Sequence, residues 1–187
     1  MNYLKQQSKK SLVWLALLSL ATSGLFSIVG APFLRAFFVS ARSVAFWTTA
    51  AIFVATLFLL GSANYKISET AVYVGAIWMT LGIYSELEKR GVSWKVAGLA
   101  SLVSGFLFSV AGYFLVLRNM DGAQTVAEMT APLREAMIKA YPDNDPSDFN
   151  VEGYLPGIVT ASLFVALAVG IIFEPKISRL FKLKREF

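Results

Sequence analysis

Neither cysteine nor histidine occurs among the 187 residues, and only 16% of the residues are charged. Without these two residue types the chain has no disulfide, thiolate nucleophile, Ser-His-Asp triad, His-ligated haem or usual zinc site. Soluble domains carry about 25% charged residues. This chain instead has 56% hydrophobic residues and a mean hydropathy of +0.60, which is typical of an integral membrane protein. We therefore expect no enzymatic activity and no cofactor.

Five apolar segments approach the length of about 20 helical residues that crosses a hydrocarbon core of about 30 Å. They are Ser11 to Gly30, Val44 to Gly61, Thr70 to Tyr84, Val96 to Leu117 and Leu155 to Phe173. These long, non-alternating runs favour helices over the strands of a barrel. The sequence therefore predicts an all-α, polytopic transmembrane bundle of four to five spans, with residues 1–187 forming a single membrane domain.

The first segment has two interpretations that differ in the placement of Lys and Arg. With five full spans and a cytoplasmic C-terminus, 10 of these residues lie inside and 7 outside, and Lys5, Lys9 and Lys10 are among the outside ones. If Ser11 to Pro32 enters the membrane and returns, the distribution becomes 13 inside and 4 outside, in better agreement with the positive-inside rule. Weak helix formers between Thr22 and Pro32 permit such a break. The basic start and the apolar run after it are also compatible with a secretory signal.

Glycines recur at intervals of seven in and before the fourth segment, at Gly91, Gly98, Gly105 and Gly112, and the third segment repeats the interval at Gly75 and Gly82. Association of helices in lipid depends on close backbone approach, which small residues allow. We therefore predict helix-packing roles for Gly75, Gly82, Gly98, Gly105 and Gly112. These contacts are either internal or part of a homo-oligomer.

Ionisable residues near the predicted spans all lie at span ends, at Glu69, Glu86, Glu88 and Glu174. Proton-coupled transporters usually keep such a residue near the middle of the bilayer. The sequence therefore argues against a proton relay. These carboxylates and the Asp143 to Asp148 cluster also match no recognised metal motif, so we expect no metal site.

Residues 118–154 form the only long polar stretch, and both topologies place it outside the cell. Apolar residues at helical spacing predict an amphipathic extramembrane helix from Thr125 to Tyr141. Residues 174–187 form a basic cytoplasmic tail, which we expect to contact anionic membrane lipids. Its basic residues are Lys176, Arg179, Lys182, Lys184 and Arg185. The positive charge is spread along membrane edges, so nucleic acid binding is not expected.

Two sequence patterns carry a resemblance to known families. The stretch from Val74 to Leu117, with the motif GIYSELEKRGVSWKVAGLA, resembles small bacterial membrane-protein families of unknown function. The order of amphipathic helix, Leu155-Pro156-Gly157, last span and basic tail resembles an uncharacterised multispan family grouped with the substrate-binding subunits of energy-coupling-factor transporters. The second resemblance implies vitamin-type transport.

The leading functional hypothesis is a non-enzymatic protein of the bacterial cytoplasmic (inner) membrane that acts as an accessory or assembly subunit of a membrane complex. Its expected partners are membrane lipids and either another membrane protein or further copies of itself. The alternative is a small-molecule transporter or a substrate-binding transport subunit, with a site made of neutral hydroxyls and aromatic rings.

Overall fold

The structure, a computed structural model, describes the backbone of residues 2–25, 27–61, 65–118, 122–141 and 151–183. Side chains are described for residues 11–22, 28–61, 67–116, 130–131, 133–141 and 153–183. The described residues form helices and no strand. The helices are α1 (Asn2–Leu25), α2 (Ser27–Ser40), α3 (Ser43–Gly61), α4 (Tyr65–Lys89), α5 (Trp94–Arg118), α6 (Gly122–Ala140) and α7 (Val151–Leu180).

The prediction of an all-helical protein is therefore confirmed over the described residues. Three helical stretches are long and apolar enough to cross a membrane, namely Ser43–Gly61, Trp94–Val116 and Gly153–Leu180. Two shorter apolar stretches lie in the first two helices, at Ser11–Thr22 and Ile28–Ser40. The described residues form seven helices where five apolar segments and one amphipathic helix were expected, because the first segment is shared between α1 and α2.

The first apolar segment is divided between α1 and α2, which are separated by a single residue at position 26. Two helices joined so closely can pack along each other, as these do, only if they run antiparallel. The α2 helix is the more deeply buried of the two, and from Gly30 to Ala41 every residue except Phe33 is buried. It packs on α1, α4 and α7.

The α3, α4 and α5 helices form an antiparallel group with α4 in the middle. A tight turn joins α4 to α5, in which the amide of Gly91 donates to the carbonyl of Glu88 and the amide of Val92 donates to that of Leu87. This pattern ends many helices and requires a left-handed residue, here Gly91 with a φ of 73°. Contacts of Gly112 with Val72 and of Gly61 with Ser68 place the opposite ends of these helices together.

The α7 helix runs in the same direction as α4, since Leu163 lies at the level of Ala76 and Gly170 lies further along, beside Leu81. The α2 helix runs the same way, since Ala31 is also beside Gly170 and Arg35 reaches Glu88. The ends of α2, α4 and α7 therefore share one side of the molecule with the starts of α1, α3 and α5. We call this side the basic end. The α6 helix lies at the opposite end, in contact with α5 and α7. The core between the two ends is formed mainly by apolar residues of α2 and α4, with Leu163, Ala166 and Leu167 from α7.

Two sequence-based boundaries differ from those of the structure. The amphipathic helix was expected from Thr125, whereas α6 begins three residues earlier at Gly122. The basic tail was expected to begin at residue 174, after the last span. Instead α7 continues from the predicted last span to Leu180, with Pro175 inside it. The proline is accommodated without ending the helix, and residues 174 and 178 are buried against the bundle.

Candidate functional site

The most polar part of the interior is an ion pair between α2 and α4 near the basic end. Nη2 of Arg35 lies 2.7 Å from Oε2 of Glu88, and Nη1 donates to the hydroxyl of Ser85 at 3.3 Å. The guanidinium carbon also lies 4.9 Å from the centre of the Tyr84 ring. The Arg35 side chain is only 2% exposed, whereas that of Glu88 is 34% exposed. The pair therefore links a deeply buried cation to a carboxylate that reaches the protein surface.

A second polar group lies beside this pair, where α3 begins. The hydroxyl of Ser43 donates to Glu86 at 2.8 Å, and Arg90 forms an ion pair with the same carboxylate at 3.2 Å. Partial burial raises the pKa of Glu86, but the hydrogen bonds from Ser43 and Arg90 and the nearby positive charges outweigh it. The pKa of Glu86 therefore lies below its ordinary value. Glu86 remains ionised at neutral pH and holds the start of α3 against α4.

Glu174 is a second buried carboxylate, on α7, and its side chain has no exposed area. The hydroxyl of Ser178, one turn later, donates to its Oε1 at 2.6 Å. Glu174 lies one turn beyond Gly170, and Arg35 lies one turn beyond Ala31, which is in contact with Gly170. The two charged residues are therefore at the same level of the bundle, on neighbouring helices.

These positions correct the expectation that ionisable residues are confined to span ends. Arg35 is buried inside α2, and Glu174 is buried inside α7. The expectation was wrong because α2 continues past Pro32 to Ser40, and α7 continues past Phe173. The local sequence contains a signal for Arg35, which is a single charge within the apolar run Ala31-Pro32-Phe33-Leu34-Arg35-Ala36-Phe37-Phe38. An isolated charge in such a run indicates a paired, buried residue. Glu174 has no such signal, because Pro175 and Lys176 follow it directly.

Four of the five glycines for which packing roles were predicted lie where a neighbouring helix comes close. A methyl group at Gly75 would meet Phe108 of α5 at 2.5 Å, and one at Gly82 would meet Trp47 of α3 at 2.6 Å. A methyl group at Gly112 would meet Val72 at 2.8 Å.

Gly105 has the most crowded surroundings of the five. An added methyl group there would lie 3.0 Å from the carbonyl oxygen of Ala76, in contact with the Thr80 hydroxyl and 3.2 Å from Leu163. At Gly98 an added methyl group would meet no atom within 4 Å. A residue larger than glycine would therefore fit at position 98.

An apolar cleft lies between α3 and α5, with α4 as its floor. Its volume is about 460 Å³, and no charged side chain lines it. The floor carries Gly75, Trp78 and Met79, and the walls are formed by α3 from Trp47 to Phe58 and by α5 from Phe108 to Leu115. The cleft differs from the hydroxyl-rich site that a polar small molecule would need.

The remaining predicted surfaces lie at the two ends of the bundle. Among the tail residues, Lys176, Arg179 and Lys182 are exposed, and Lys184 and Arg185 lie outside the described residues. On α6, Thr130 is buried, while Arg134 and Lys139 are exposed. The acidic cluster from Asp143 to Asp148 also lies outside the described residues. Among the described residues, no group of three or more acidic side chains is arranged to hold a metal ion.

Taken together, these features define an all-helical protein with three helices able to cross a membrane and a buried ion pair near one end. No family model matches the chain, and neither a curated protein nor a solved structure matches it.

Proposed function

We propose that this protein is a non-enzymatic subunit of a membrane complex, and that it associates with a membrane-protein partner through the outer face of α3. The observation that carries the proposal is the composition of that face. Five of its exposed residues are small, namely Ala45, Thr48, Ala51, Ala55 and Thr56. Helix association in lipid favours such small residues, because they let two backbones approach closely.

A comparison with α5 makes this face distinctive. Every exposed residue of α5 between Val96 and Val116 is bulky except Ala111. Such a surface suits contact with lipid chains. The exposed hydroxyls of α3 donate to their own helix, as Thr48 does to the carbonyl of Val44 and Thr56 to that of Ile52. The α3 face therefore carries small residues, and the hydroxyls of Thr48 and Thr56 on it are already hydrogen-bonded. The α3 helix is also sparsely covered, since 17% of its apolar stretch is buried within the protein, against 28% in α5.

The proposed topology has four spanning helices and one hairpin that enters and returns. The α4 helix packs antiparallel to α3 and α5, so it crosses the membrane whenever they do. The α1–α2 hairpin starts and ends at the basic end, which leaves both termini on one side. This arrangement supports the interpretation in which Ser11 to Pro32 does not cross.

The basic end is proposed to face the cytoplasm of a bacterial cell. Thirteen of the 17 Lys and Arg residues belong to segments at this end, and four belong to the opposite end. The four are Lys66, Arg118, Arg134 and Lys139. Positively charged short segments remain cytoplasmic, so the inner membrane with a cytoplasmic C-terminus is the favoured location. In this orientation α6 and the polar stretch around it face outward.

A site-specific crosslink tests the proposed association. The chain has no cysteine, so each variant introduces a single thiol. Thr48→Cys places it on the α3 face and Val103→Cys on the outer face of α5, and both sites are exposed. A benzophenone maleimide attached to either thiol captures any neighbouring chain on illumination in native membranes. We expect capture of a partner protein from position 48 and only lipid from position 103.

Transport of a small molecule is the second candidate, and one observation favours it. Arg35 pairs with Glu88 between α2 and α4, Glu174 is buried on α7, and intramembrane ionisable groups commonly mark substrate pathways. The resemblance to substrate-binding transport subunits points the same way. Binding of a charged solute that is lost in Arg35→Met would support transport. Unchanged binding, or no binding by the parent chain, would remove this candidate.

A further inference from the structure

The cleft between α3 and α5 opens toward the surface that these two helices present to the membrane. Both helices are among the three able to cross a membrane, and the walls of the cleft include exposed residues of each. These are Ala51 and Ala55 on α3 and Ala111 and Leu115 on α5. The material outside the opening is therefore the hydrocarbon of the bilayer rather than water.

The dimensions of the cleft limit what can occupy it. The α3 wall runs from Trp47 to Phe58, which at the helical rise is a length of about 16 Å. Dividing the volume of about 460 Å³ by this length gives a mean cross-section of ~28 Å². A helix at least 10 Å in diameter needs roughly 80 Å². The cleft is thus too narrow to enclose a partner helix, whereas an extended hydrocarbon chain is much thinner than a helix.

The length and the lining of the cleft also fit an extended hydrocarbon chain. One leaflet contributes about 15 Å of hydrocarbon, half of the bilayer core, which is close to the length of the α3 wall. The lining has no charged side chain and consists of apolar residues, which range from alanines and glycines to the rings of Trp47, Phe58 and Phe108. Such a surface offers van der Waals contact on several sides of a chain and no hydrogen-bonding site for a polar molecule.

We propose that this cleft binds one acyl chain of a membrane phospholipid, which lies between α3 and α5 on the floor formed by α4. The proposal depends on membrane integration. The cleft shares Ala51 and Ala55 with the proposed partner face of α3, and the test below uses the purified chain without a partner, so the two proposals succeed or fail separately. A bound chain fills a gap that α3 and α5 would otherwise leave beside α4. The lipid is therefore a structural ligand that keeps the two helices apart.

Tryptophan quenching tests this proposal, because Trp78 lines the cleft. Trp14 and Trp94 are 64% and 71% exposed elsewhere, and Trp47 is only partly buried, so Trp14→Phe, Trp47→Phe and Trp94→Phe together leave Trp78 as the sole emitting tryptophan. The resulting chain is reconstituted into phosphatidylcholine vesicles with bromine at the middle of the acyl chains. Bromine quenches tryptophan only at short range, so strong quenching of a residue as buried as Trp78, which is 1% exposed, requires a chain inside the cleft.

A filling variant and a matched control complete the experiment. Ala55→Phe places a ring in the cleft, and Ala161→Phe places the same ring on the exposed surface of α7. We expect quenching to fall roughly twofold in the first variant, because the ring takes the space of the chain, and to stay at the parent value in the second. Equal quenching in the parent and Ala55→Phe would overturn the proposal, provided that circular dichroism shows both folded. If Ala55→Phe does not fold, Ala111→Phe fills the cleft from α5 and gives the same reading.

Discussion

The two members of the Arg35–Glu88 pair differ sharply in exposure, and this difference determines what each contributes. Arg35 is enclosed by α2 and α4, and its Nε has no hydrogen-bond partner among the described residues. Glu88 retains about a third of its exposed area. Loss of the carboxylate would leave a buried cation without its counter-charge, whereas loss of the guanidinium would leave a carboxylate that solvent or lipid headgroups can still reach.

Substitution at these two positions should therefore have unequal effects. We expect Glu88→Leu to lower the free energy of unfolding by about 3–5 kcal/mol, the usual cost of a buried charge left unpaired. Arg35→Met should cost clearly less, and the double variant should recover most of the loss from Glu88→Leu. Denaturant titration of the purified chain in detergent measures all three. A larger loss from Arg35→Met than from Glu88→Leu would contradict this account of the pair.

At the scale of elements, the glycine spacing predicts which helices pack but not every position that requires a glycine. The interval of seven residues selects Gly105 and Gly112, where an added methyl group would meet Ala76 and Val72 of α4. It also selects Gly98, where the nearest helix is too far away to need one. The seven-residue repeat predicts only which side of the helix a glycine faces. The distance between α4 and α5 at each level also depends on side chains of other helices, such as Leu163 of α7, and these are distant in the sequence.

Gly98 and Gly105 therefore provide a matched pair on a single helix. Gly105→Leu should destabilise the bundle by about 1–3 kcal/mol, because its side chain would push α5 away from Ala76 and Thr80. Gly98→Leu should leave stability unchanged or raise it by up to about 1 kcal/mol, since leucine is the better helix former. Thermal unfolding in detergent, followed by circular dichroism, distinguishes the two. Equal losses at both positions would show that close approach is not what selects glycine.

The topology of the whole molecule depends on the first two helices. The sequence leaves two interpretations open. The positions of Lys and Arg indicate on which side the termini and loops lie, but they do not show whether other helices cover the first two. In the structure, α2 is covered on several sides, and its direction follows from contacts of Ala31 and Arg35 with distant parts of the chain. The same long-range packing explains why the burial of Arg35 and Glu174 was not predicted, although the all-helical fold was.

Thiol accessibility tests this topology directly. We expect Asn2→Cys to resist a membrane-impermeant maleimide in spheroplasts and to react after permeabilisation, because α1 starts at the proposed cytoplasmic end. Lys139→Cys, exposed on α6 at the opposite end, should react in both conditions. Labelling of Asn2→Cys in intact spheroplasts would mean that the first segment crosses the membrane.

The central claim is that this chain works by associating with another membrane protein through α3. The crosslink from Thr48→Cys measures this most directly, when the captured species is purified and identified by mass. The account predicts an adduct of the 20.5 kDa chain with a different protein from position 48, and none from Val103→Cys. Recovery of only the uncrosslinked chain from both positions, or equal capture of one protein from both, would contradict it.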